Sequence, residues 1–232
     1  MSDSLEKVEK VIQFLVCPQK DFIGRIEKDE DPPNKLHVGY KAITKLRGAG
    51  NGPDPFVDTV TKLFDDSIPG TEKLSVILDE DWHPKNCDEF KTFEPHCVKG
   101  TKGAEMPEKL EQFRTHTRCD YIHANSINIA SDSEEYQKTI KRACSPCAHP
   151  KSGDIRAGVF GVWTHVKVEY LLIALSTFPP KLSFENIGVC EPLCASPEKE
   201  DHDLAIKKFR YYGINVFEDY DQYCHEWLGL KY

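Results

Sequence analysis

The chain has 232 residues, 39% of them apolar, and a formal net charge of −8. That length supports one substantial core, and an acid excess with no basic stripe interleaved with aromatics argues against nucleic acid as a partner. No apolar run reaches the ~18 residues of a spanning helix, and MSDSLEKVEKVIQFLV lacks the pattern of a secretory leader. One domain over 1–232 is therefore expected, intracellular and cytoplasmic, with no membrane partner and a cleaved organellar leader left open.

In chain order, VIQFLVC (11–17) reads as a buried strand ended by Pro18, and FVDTVTKLF (56–64) as a helix with Phe56, Val60 and Phe64 on one face. Between them, residues 24–55 are rich in Pro, Gly and Asn and are expected to form a long ordered loop region. LSVILD (74–79) is a strand, MPEKLEQF (106–113) a helix opened by a proline, CDYIHANS (119–126) a strand and SEEYQKTIKRAC (133–144) a helix. A flexible loop is expected over 144–154, where Cys144 and Cys147 form a single CxxC, weak evidence for zinc without a second pair.

AGVFGV (157–162) is a strand and HVKVEYLLIALSTF the helix that follows it. NIGVCE (186–191) is the next strand. In 196–213, Ser196 reads as a cap, Pro197 as the first helical residue and Gly213 as the stop. A strand (INVFE) and a helix (YDQYCHEWLG) close the chain. Strands alternating with helices predict a doubly wound, Rossmann-like three-layer α/β sandwich on a parallel sheet. Ligands in such folds bind beyond the carboxyl ends of the strands. Those ends are Cys17, Asp79 to His83, Ala124 to Ser126, and Trp163 to Lys167.

The densest chemistry is LDEDWHPKNCDEFKTFEPHCVKGTKGAE (78–105). Asp81 and His83 stand two apart past a strand, His96 returns in the next loop, and Cys87 lies between. A carboxylate, two imidazoles and a thiolate form a zinc-type donor set, whose open position polarises a bound carbonyl or ring nitrogen. The competing reading is that both histidines are loop residues satisfied by backbone bonds.

DWHP followed by PHCVKGTKGAE resembles the nicotinamidase branch of the isochorismatase-like hydrolase superfamily. VCPQKDF is similar to that family's first strand-end element, D-x-Q-N-D-F, and GVWTHVKV to its G-x-x-T-D-x-C-V nucleophile turn. The resemblance implies a parallel six-stranded sheet and a divalent metal, zinc above others, on Asp81, His83 and His96, with Cys87 at the position usually held by a second-loop histidine. It also implies an Asp–Lys–Cys triad, and all three positions differ here. The aspartate position is Cys17, the nucleophile position Lys167, and the lysine position falls near Ala124, with His123 and Asn125 the nearest polar residues.

Ordinary nicotinamidase activity is therefore expected to be absent. Lys167, at a helix N-terminus, is expected to have a depressed pKa and to pair with Asp21, Asp81 or a ligand anion. Two readings stay open. The first is a non-hydrolytic binding or assembly module that keeps the metal, with a pocket of Phe22, Trp163, Thr164 and His165 for a small planar or carbonyl-containing ligand. A protein partner or homo-oligomer accompanies that reading. The second is a hydrolase in which Lys167 lowers the pKa of Cys17 and the thiolate attacks from the opposite strand end.

Overall fold

The computed structural model describes residues 10–48, 52–131, 133–144, 155–178 and 181–232. Six parallel strands are laid down in chain order: β1 (Lys10–Val16), β2 (Leu74–Asp81), β3 (Cys119–Ala124), β4 (Ile155–Val162), β5 (Ile187–Ala195) and β6 (Asn215–Phe217). They form one sheet in the order β3-β2-β1-β4-β5-β6. Every residue of β1 is buried, which is why its sequence runs apolar without alternation: a central parallel strand is covered on both faces. Its one uncharged polar residue, Gln13, is satisfied inside by the Phe14 carbonyl and the Tyr223 hydroxyl.

The helices are α1 (Lys20–Ile23), α2 (Gly39–Leu46), α3 (Pro55–Phe64), α4 (Glu108–Glu111), α5 (Ser133–Cys144), α6 (Glu169–Thr177), α7 (Lys199–Tyr211) and α8 (Tyr220–Gln222). They cover both faces of the sheet, with α5 against β1 to β3 and α7 against β5 and β6. No helix among the described residues is long and apolar enough to cross a membrane.

Several elements differ from their sequence reading. The stretch 24–55 contains α2, anchored by buried Ile43 and Leu46, and a buried ion pair of Arg47 with Asp54 at 2.8 Å. The helix expected over 106–113 is one turn of α4 followed by a tighter turn through Thr115. Ser196 does not cap α7, which starts after Glu198; its hydroxyl is taken by His165 Nδ1 at 2.8 Å. The expected loop beyond Cys144, with Cys147, lies outside the described residues. No disulfide joins any of the described cysteines.

Chain order runs outward from the centre on both sides, so the direction of winding reverses between β1 and β4. A crevice opens at the carboxyl ends of such a pair. Val16 is in register with Asp79 on one side and Gly161 on the other, which brings three strand ends together. Gly161 makes this possible: its φ is 135°, and a Cβ there would lie 2.1 Å from the Val16 carbonyl oxygen.

Candidate metal centre

Alternation along β2 sends Asp79 and Asp81 to one face and Glu80 to the other. Glu80 is fully buried and held by the Arg114 guanidinium through two bonds of 2.8 and 2.7 Å. Asp81 is fixed at its backbone by the buried amide of Gln19, which accepts from the Asp81 N–H at 2.8 Å and donates to the Asp81 carbonyl at 2.7 Å. The chain then carries His83 beside the returning loop, where a single bridge joins it to Val98. Asp21 accepts from the Cys97 N–H at 2.7 Å and so holds that loop, with His96, against α1.

The result is a converging donor set. Asp81, His83 and His96 are all buried, and one ligand atom from each lies within 4.8 Å of the others. Asp81 Oδ2 is 3.9 Å from His83 Nε2 and 3.7 Å from His96 Nε2. Tetrahedral zinc with bonds of ~2.1 Å spaces its ligands by roughly 3.4 Å, so these separations suit a shared ion. His96 Nδ1 is 2.7 Å from the Glu94 carbonyl, a bond that leaves Nε2 free for the centre. His83 Nε2 is buried with no hydrogen-bond partner, an arrangement that costs free energy unless something fills it. The residues fit a divalent metal.

Two neighbours of this set differ from the sequence reading. Cys87, expected among the ligands, stands 3.5 Å from His83 Nδ1, the nitrogen turned away from the centre, and its thiol points to the Asn125 carbonyl at 3.9 Å. Glu89, two residues on, turns inward instead, with Oε1 3.7 Å from His96 Nε2. Its signal was faint: one of two adjacent acids in KNCDEF.

Across the crevice, β4 ends in a wide turn, Thr164–Val168, closed by the Val168 N–H on the Trp163 carbonyl at 3.1 Å. Lys167 points inward from it and is 5% exposed. Its ammonium is in close contact with Asp81 Oδ1 and lies 3.6 Å from Asp79 Oδ1. Asp21, a suggested partner, is engaged elsewhere. Nor is the Lys167 pKa depressed. Burial pulls it down, but Asp79 and then Asp81 reverse this and hold it well above the usual lysine range. Cys17, in a left-handed conformation at φ 47°, donates its thiol to Asp81 Oδ2 at 3.6 Å. Burial and then Asp81 push that thiol well above its ordinary range, against the lowering by Lys167. Burial also raises Asp79, to about 6.

Cys17, Phe22, Asp81, Glu89, Trp163 and Lys167 line a cavity of about 40 Å³, well below the ~150 Å³ that holds a benzene ring. Trp163 narrows it, tied by its Nε1 to the Leu36 carbonyl at 2.7 Å. Thr164 and His165 face away, toward His202 and Ser196. Among the described residues, none replaces the lysine expected at the end of β3 with a lysine or arginine. Ala124 is buried, and His123 is on the other face with Glu80 at 3.4 Å.

The reversal of winding and the crevice at β1 and β4 define a doubly wound α/β protein with a candidate metal centre at its switch point. No family model and no curated protein matches the sequence. Solved structures do share the fold. A nicotinamidase from Bacillus subtilis is 16% identical with a TM-score of 0.61, covering 90% of this chain and 99% of its own. A pyrazinamidase of Pyrococcus horikoshii in complex with zinc is 17% identical at 0.58, covering 90% and 99%. N-carbamoylsarcosine amidase from Thermoplasma acidophilum is 17% identical at 0.57, covering 89% and 95%. The chain has the isochorismatase-like hydrolase fold. At such identities the likeness concerns the fold, so the chemistry rests on the residues in place.

Proposed function

We propose that this is a non-hydrolytic isochorismatase-like domain: a binding module with a divalent metal centre on Asp81, His83 and His96. The observation that carries this reading is the position of Lys167. Its ammonium stands where the resemblance puts the attacking sulfur, and it is held by the carboxylates of Asp79 and Asp81. An ion-paired ammonium is no nucleophile, and among the described residues no lysine or arginine stands at the end of β3 to tune one. The nitrogen and oxygen donors suit zinc. When bound, the metal supplies a Lewis-acidic position for a carbonyl or ring nitrogen. Phe22 and Trp163 provide the apolar walls for a small planar ligand, with Trp163 the side chain that has to yield to admit one.

The test is ammonia release from nicotinamide by zinc-loaded protein. No turnover above buffer is expected, and turnover abolished by Cys17→Ser would establish the rearranged hydrolase instead. Alkylation separates the same two readings. Cys17 is 1% exposed, so folded protein is expected to resist iodoacetamide at this residue, whereas an active thiolate would be modified selectively near neutral pH.

A further inference from the structure

Asp79 is 0% exposed, and neither of its carboxylate oxygens accepts a hydrogen bond. Buried polar atoms are seldom left this way. Its neighbour on the same face of β2 is in the opposite situation. Asp81 has Oδ1 on the Lys167 ammonium, and Oδ2 faces the Cys17 thiol and both imidazole nitrogens. Between the two carboxylates lies one cation, Lys167 Nζ, in contact with Asp81 and 3.6 Å from Asp79 Oδ1.

A dication on Asp81, His83 and His96 and an ammonium on the same carboxylate repel each other strongly in a buried site. Both also compete for the electron density of one group. The structure places the relief next door. We propose that Lys167 is a built-in competitor for the metal centre, and that Asp79 is the positioning residue that accepts its ammonium when a metal claims Asp81. This rests on the metal-centre reading above. Lysine has a flexible four-carbon stem, so the exchange from Asp81 to Asp79 needs side-chain rotation alone. Asp79 would then set metal affinity without being a ligand, as an outer partner commonly does. Of the other groups around Lys167, Cys17 is an uncharged donor to Asp81, Asp21 is bonded to the Cys97 N–H, and Glu89, on the same cavity, has its carboxylate on the metal side, 3.7 Å from His96 Nε2.

The experiment is a zinc titration of the full chain against a chromophoric chelator, comparing wild type, Asp79→Asn and the double variant Asp79→Asn/Lys167→Met. Asp79→Asn keeps the Lys167 pair with Asp81, and the double variant removes one charge of each sign; thermal unfolding of the metal-free proteins checks that both fold. Asp79→Asn is expected to weaken zinc binding at least ~10-fold, the scale of outer-partner losses. Adding Lys167→Met is expected to restore wild-type affinity or exceed it, a rescue that mere damage to the core would not produce. Affinity of Asp79→Asn within twofold of wild type overturns the proposal. So does a double variant as weak as the single one, since Asp79 would then act on the metal through its own charge. Failure of wild type to bind one equivalent of zinc would instead remove the metal centre, an outcome separate from either of these.

Discussion

Two strand ends face each other across the crevice and have been built in opposite ways. Beyond β2, the side chains are arranged for something outside the protein: His83 presents a buried nitrogen with no partner, and His96 is held by Glu94 so that its free nitrogen meets Asp81. Beyond β4, the turn is closed on itself. Trp163 is tied to Leu36, Thr164 to His202, His165 to Ser196, and Lys167 to Asp81. Unfilled polar atoms mark a site that expects a guest, whereas mutually satisfied ones mark structure. Asp81 belongs to both ends.

Substitutions can break that contrast in order of severity. Asp81→Ala should have the largest effect, since it removes a ligand and also strips Lys167 of its closest partner. Loss of zinc binding and about 3–5 kcal/mol of metal-free stability in urea unfolding are expected. His83→Ala sharpens the comparison, because it should abolish zinc binding while leaving metal-free stability far less changed. Gly161→Ala tests the junction of the strand ends. A Cβ 2.1 Å from the Val16 oxygen, at φ 135°, should cost about 3 kcal/mol. Gln19→Ala leaves the Asp81 backbone without its amide clamp and should cost about 2 kcal/mol, with weaker zinc binding. His165→Ala, on the closed side, should cost about 1 kcal/mol and leave zinc affinity unchanged.

Much of this was legible in the sequence because it depends on local pattern. Strand–helix alternation forces a parallel sheet, and its carboxyl ends select the places where Cys17, Asp81 and Lys167 do meet. What was not legible depends on contacts between strands. A helix N-terminus, visible in the sequence, depresses a lysine pKa; the carboxylates across the sheet that reverse it are not visible. Asp79 is placed by the sequence at a strand end, but only the register with Val16 and the distance to Lys167 show that it faces that ammonium. In KNCDEF, spacing cannot tell whether Cys87 or Glu89 turns inward; the turn that starts at Asp88 decides it in favour of Glu89. Thr164 and His165 were assigned to the pocket by their place in a motif, but the wide turn after β4 aims them at α7 and the end of β5.

Diffraction at the zinc absorption edge from zinc-loaded crystals tests the central claim most directly. One anomalous peak is expected between Asp81 Oδ2, His83 Nε2 and His96 Nε2, with the Lys167 ammonium buried beside Asp79. No peak at that point, or Lys167 turned out to solvent with Cys17 open to the crevice, would contradict it.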